Sequence, residues 1–191
     1  NYLHVEYTYY VKKSKDLIVD VSLPASSGFT VVAKNVGKMN NVGHELLTKL
    51  TILRKDNKKM KGLNWDVRFQ FAKNDNKVIK VSDESKELSL NTGGIQVVAK
   101  EGLPFGTFKA LDFKRDEAGH IVVDATGKPV ASTEYAYLGS YQPKYTMGFG
   151  STLSWKGLSF DVQFDLRNGG QFYSGTKAAT DFNGTSLSSL V

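Results

Sequence analysis

Asp161 and Asp165 stand four residues apart in "LSFDVQFDLR", a spacing that puts two carboxylates on one face of a β-strand. Two carboxylates can divide acid and base work on a glycosidic bond, but four residues of strand separate this pair by about 13 Å, too far for either glycosidase geometry. The three histidines, His4, His44 and His120, lie far apart in the chain, and no His-x-x-x-His or carboxylate-flanked pair marks a metal site. His44 and Glu45 are neighbours, so on a strand they point to opposite faces. Neither a Gly-Lys-Ser/Thr phosphate loop nor a Gly-x-Ser-x-Gly nucleophile elbow occurs. With no Cys, thiolate metal ligands and disulfides are excluded. The chain therefore reads as a non-enzyme with no catalytic residue, cofactor or metal.

Charge narrows the partners. Twenty-five Lys and Arg against nineteen Asp and Glu give a formal charge of +6. The tightest basic cluster, Arg54, Lys55, Lys58, Lys59 and Lys61, has no aromatic residue within it. Nucleic-acid binding draws on aromatic platforms beside the charge, so the cluster reads as a solvated or headgroup-facing turn, and no nucleic acid is expected.

The elements that carry these residues show a period of two. In "LHVEYTYYV" Leu3, Val5, Tyr7, Tyr9 and Val11 share one face; in "WDVRFQF" Trp65, Val67, Phe69 and Phe71 oppose Asp66, Arg68 and Gln70. "ELLTKLTILR" and "YTMGFGSTLSW" alternate less cleanly. "LSFDVQFDLR" sets Leu158, Phe160, Val162, Phe164 and Leu166 against polar residues, and the two-residue break Lys156-Gly157 before it predicts a tight hairpin. "KNVGKMNNVGHEL" (34–46), rich in Asn and Gly, predicts a long shaped connection between strands. No stretch reaches the roughly 18 apolar residues of a membrane helix, a test that transmembrane strands escape. Alternation alone fits a soluble sandwich or a barrel whose apolar face meets lipid. Trp65 and Trp155 lie beside the two short breaks, where an interfacial girdle would sit. Short connections (55–63 and 156–157) alternate with long ones (15–42, 76–143 and 169 onward), the asymmetry of outer-membrane barrels.

Several ordered motifs carry a family resemblance. Asp16-Leu17-Ile18, Leu23-Pro24 and Ser27-Gly28 are followed by Asn35, Gly37, Asn41, Gly43 and Glu45-Leu46. Downstream come "WDVRFQFAKNDNKVIKV", "EGLPFGTFKALDF" and a hairpin ending in Gly169-Gly170 and a tyrosine. Over nearly its whole length the chain resembles the barrel region, toward the C-terminus, of SusC/RagA-type TonB-dependent outer-membrane transporters.

The resemblance implies an all-β segment of a large antiparallel transmembrane barrel, about 22 strands in the family, with some five strands here and long extracellular loops. It implies a nutrient importer in the bacterial outer membrane. Its partners would be a SusD-like surface lipoprotein, the TonB, ExbB and ExbD complex, outer-membrane lipid, and a glycan-oligomer or peptide substrate. Trp65, Val67, Phe69, Phe71, Trp155, Phe160, Val162 and Phe164 are expected to face lipid, and the Asn-Gly motif to close an outer loop. Residues 1–191 are expected to form part of the barrel domain, without plug or closing strand. About eight strands are the practical minimum for closure, so a longer polypeptide is expected. The alternative is a soluble, secreted β-sandwich that binds carbohydrate.

Overall fold

The computed structural model describes residues 2–22, 26, 28, 31–54, 62–82, 85–91 and 95–187, with backbone alone at 19–22, 31 and 33–36. Two antiparallel sheets form. The larger takes β1 (Leu3–Ser22), β2 (Val31–Leu53), β3 (Leu63–Lys80), β8 (Tyr145–Trp155) and β9 (Leu158–Asn168), in that spatial order. The smaller takes β4 (Glu87–Ser89), β5 (Gln96–Lys100), β6 (Thr107–Phe113) and β7 (Ala131–Ser140). It is folded from the connection between β3 and β8, so the long segment expected at 76–143 is a structured insert.

The first three strands run far beyond the alternating cores seen in the sequence, and here one expectation fails. The Asn-Gly stretch 34–46 is not a turn; it lies inside β2, paired on one side with β1 and on the other with β3. Gly37 and Gly43 are absent from the positive-φ residues, so they serve close approach and not a bend. A Cβ on Gly43 would overlap the ring of Tyr10, its partner in register, and one on Gly37 would overlap the carbonyls of Lys80 and Val81. An aromatic side chain laid over a cross-strand glycine restores the contact the glycine lacks.

The predicted hairpin between β8 and β9 is present. Lys156 (φ 45°) and Gly157 (φ 89°) are both left-handed, as a two-residue turn matching strand twist requires. Leu63 pairs with Trp155, and Leu53 with Trp65, so both short connections leave the same edge of the sheet. Both tryptophans sit at that edge.

The larger sheet has one apolar face, and among the described residues no second sheet covers it. Phe160 and Phe164 keep 66% and 65% of their surface exposed. A soluble sandwich would bury such a face against a second sheet. The buried core lies elsewhere, where the insert meets β3: Val78, Val81 and Ala99, with Leu17, Leu88, Leu90 and Phe105 packed around them. There the insert extends the edge of β3, Val78 N–H donating to Leu103 O (2.9 Å) and Gly102 N–H to Val78 O (2.9 Å). Between β6 and β7 the chain makes two Asp-to-Gly turns. Asp116 accepts the N–H groups of His120 and Ala118, Asp124 those of Thr126 and Lys128. A short helix not anticipated from the sequence, α1 (Gly175–Phe182), follows β9 and is capped by Ser174.

Candidate functional site

The polar face of the larger sheet holds a hydrogen-bonded ladder. Thr51 Oγ1 donates to Asp66 Oδ1 (2.6 Å) and Asn64 Nδ2 to Asp66 Oδ2 (2.9 Å). Arg68 crosses the whole of β8 to reach Asp161 on β9, Nη2 to Oδ2 at 3.0 Å, and Thr152 donates to the same carboxylate. Gly150 makes this crossing possible, because a Cβ there would stand 3.0 Å from Arg68 Nε. Farther along, Glu6, Thr8, Glu45, Gln70, Asp165 and Arg167 border a shallow concavity.

The pattern suits contact with a polar solute, not bond chemistry. Asp161 is held by Arg68 and Thr152, while Asp165 takes its hydrogen bonds from Gln163, so the two carboxylates are not an acid and base pair. Among the described residues no three His, Asp or Glu side chains gather as a metal site. His4 lies by Glu6 (3.9 Å), His120 by Asp116 (3.2 Å), and His44 meets Tyr7 Oη at 2.8 Å on the opposite, apolar face.

The motif residues separate into several roles. Asn41 Oδ1 accepts from Asn74 Nδ2 (3.1 Å) and Asn76 Nδ2 (2.8 Å), and Asn76 Oδ1 in turn accepts the N–H of Phe105 in the insert (2.7 Å). This chain of amides ties β2 to β3 and β3 to the insert. Gly169 and Gly170 are left-handed and pressed against Lys144 and the carbonyls of Tyr141 and Gln142, where a side chain has no room. Glu45 is exposed opposite Thr8; Asp16 has φ 53° in mid-strand, opposite Gly37. Gly28 is left-handed with open space around it, Asn35 pairs with Ile18 through the backbone, and Pro24 lies outside the described residues. Sequence reasoning missed Tyr10, Asn74 and Asn76. The i, i+2 spacing of the two asparagines, one strand face opposite Asn41 and Gly43, is the signal that points to them.

Trp65, Val67, Phe69, Phe71, Trp155, Phe160, Val162 and Phe164 share the apolar face through the register of β3, β8 and β9. Trp65 Nε1 is satisfied by Ser151 Oγ at 3.0 Å. Lys156 Nζ stands 4.9 Å from the Trp155 ring, and the Arg54 guanidinium 4.9 Å from that of Tyr2. Lys55, Lys58, Lys59 and Lys61 of the basic cluster lie outside the described residues.

The insert has its own charge cluster. Glu87 accepts from Lys109 and from Tyr137 Oη (2.5 Å), and Lys100 Nζ stands 3.8 Å from the Tyr137 ring. Burial pushes the Glu87 carboxyl up, but the hydrogen bonds from Lys109 and Tyr137 outweigh it and hold the group below its ordinary range. The same bond to Glu87 raises Lys109.

No family model matches the chain. It is 31% identical over 190 residues to TonB-dependent receptor P26 of Formosa agariphila, a stretch covering 88% of this chain and 19% of that protein. The chain is homologous to a segment of the TonB-dependent receptors. Receptor P3 of the same bacterium shares 25% identity with this receptor segment over 201 residues, 92% of the chain and 20% of that protein. Among solved structures, that of the RagAB peptide transporter superimposes with a TM-score of 0.63 at 27% identity, over 86% of the receptor segment and 19% of the other chain. The RagAB peptide importer in its open-open state gives 0.60 at 25% identity. The receptor segment thus spans about a fifth of the length of these relatives. TonB-dependent receptors are transporters, not enzymes, and reside in the bacterial outer membrane, where homology places this segment.

Proposed function

We propose that the larger sheet is a stretch of barrel wall in a TonB-dependent nutrient importer, with Trp65, Val67, Phe69, Phe71, Trp155, Phe160, Val162 and Phe164 toward lipid and the Arg68–Asp161 ladder toward the lumen. The observation that carries this reading is a sheet bare on its apolar face and hydrogen-bonded on its polar one. Its height agrees: the 11 residues of β9, rising about 3.4 Å each at a tilt of about 40°, span about 26 Å between their end Cα atoms, close to the apolar band of such barrels. In this orientation the edge bearing both tryptophans and both short turns faces the periplasm. The insert and α1 lie outside, over the mouth, where a SusD-like lipoprotein would dock. Energy would come from TonB, ExbB and ExbD through parts of the receptor beyond this segment. Residues 1–191 then belong to the barrel domain.

Of the two substrate classes, peptide is favoured over glycan. The polar face presents acids and bases of both signs, and among the described residues of the larger sheet its aromatic Tyr10 is laid over Gly43, which leaves that ring unavailable for stacking on a sugar. Likeness to a peptide importer supports the same choice. The test is the mass-spectrometric identity of ligands that co-purify with the whole receptor and its lid. Mixed peptides are expected; oligosaccharides in their place would refute the assignment.

A further inference from the structure

We propose that the outward face of β1, β2 and β3, just beyond the apolar band on the side of the insert, binds the phosphate groups of an outer-leaflet glycolipid. This rests on the orientation proposed above. Register stacks that face in rows across the three strands. Tyr9, His44 and Lys73 close the apolar band; Val11, Val42 and Asp75 follow, then Lys13, Asn40 and Lys77, then Lys15, Lys38 and Lys80. Six lysines thus share one face. At the same heights the opposite face carries Lys12 among Ser14, Met39, Asn41, Asn74 and Asn76.

Four of these six lysines, Lys13, Lys15, Lys38 and Lys77, have no acidic partner among the described residues. Asp75 is the acidic group in these rows, and Lys73 holds it at 2.8 Å. Lys15 and Lys38 stand directly opposite each other. Like charges so placed destabilise a bare sheet, and an anion lying between them removes the penalty.

Position and shape select a lipid as the source of that anion. The face continues the apolar band without a break, and the row of Lys13 lies about 10 Å in height beyond the row of Tyr9, at headgroup level. Two depressions open there. One is bordered by Asn40, Val42, Lys77, Ile79 and Pro104, joining apolar wall to a cation, and by Asp75, which Lys73 holds. The next is bordered by Lys38, Lys80 and Lys86, with Ile79, Ser82, Ser85 and one carboxylate, Glu101, so that cations outnumber acids three to one. Two lysine rows at different heights fit a headgroup with more than one phosphate, which ammonium groups bind as point charges.

The test uses the whole receptor in nonionic detergent, with bis-phosphorylated lipid A and its dephosphorylated form as probes and native mass spectrometry as readout. The wild type is expected to retain the bis-phosphorylated form. Neutralising one lysine should weaken it about fivefold, and the combination Lys13→Gln, Lys15→Gln, Lys38→Gln and Lys77→Gln at least tenfold; Lys12→Gln, on the other face, should change nothing. Undiminished binding by the fourfold variant overturns the proposal, as does inorganic phosphate filling the sites equally well. Spin labels at Phe69 and Phe164 separate the two readings. Labels shielded from the lipid phase refute the orientation itself, whereas lipid-exposed labels with undiminished lipid A binding refute this inference alone.

Discussion

Replacing Val162 with arginine places a cation near the middle of the apolar band. Val162 pairs with Ser151, and the row continues through Val67 to Leu50, with no carboxylate on it. From Leu158 to Val162 the strand climbs about 10 Å of the 26 Å between boundaries, leaving Val162 about 3 Å from the midplane. Snorkelling toward the nearer boundary relieves only part of the cost at that depth. The expected destabilisation is about 2 to 4 kcal/mol. Its neighbour provides the control: Gln163 points to the polar face, between Asp161 and Asp165, and Gln163→Arg should stay within about 0.5 kcal/mol. The assay is urea-dependent folding of the whole receptor into vesicles, followed by tryptophan fluorescence. A neutral Val162→Arg, or a Gln163→Arg that costs as much, would refute the assignment of faces.

Asn41→Ala removes the acceptor shared by Asn74 and Asn76. It should cost about 1 to 3 kcal/mol, and hydrogen exchange should quicken first at Phe105, whose N–H bonds to Asn76; unchanged protection there would dismiss the amide chain as the insert's anchor. The Glu87 cluster predicts the insert's pH range. A depressed carboxylate contributes stability in full above its ordinary value of 4.5 and loses it as pH falls through its lower folded-state value. Raised Lys109 contributes in full below its ordinary 10.5 and loses it as pH climbs through its higher folded-state value. Near-ultraviolet circular dichroism of the insert's tyrosines should therefore hold steady across neutral pH, and Glu87→Gln should remove the acid limb; an identical acid limb in the variant would show the cluster has no part in it.

Local alternation was enough to locate β8, β9 and the first part of β3, because a period of two is written into each strand whatever its neighbours are. The hairpin at Lys156-Gly157 was legible for the same reason: two residues between alternating runs leave the chain one short way to reverse. Alternation by itself could not tell this apolar face from that of a sandwich, because both repeat every two residues. What local reading got wrong was β2. Asn and Gly favour turns when judged alone, and 34–46 becomes strand only because Tyr10 covers Gly43 and Asn74 and Asn76 hold Asn41, partners 33 to 35 residues away. The insert was hidden too, since three residues of β4 or five of β5 carry too little periodicity to stand out. The lysine rows show the limit most plainly. Lys15, Lys38 and Lys80 come from three separate strands, and only cross-strand register, fixed by tertiary pairing, brings their charges into one line.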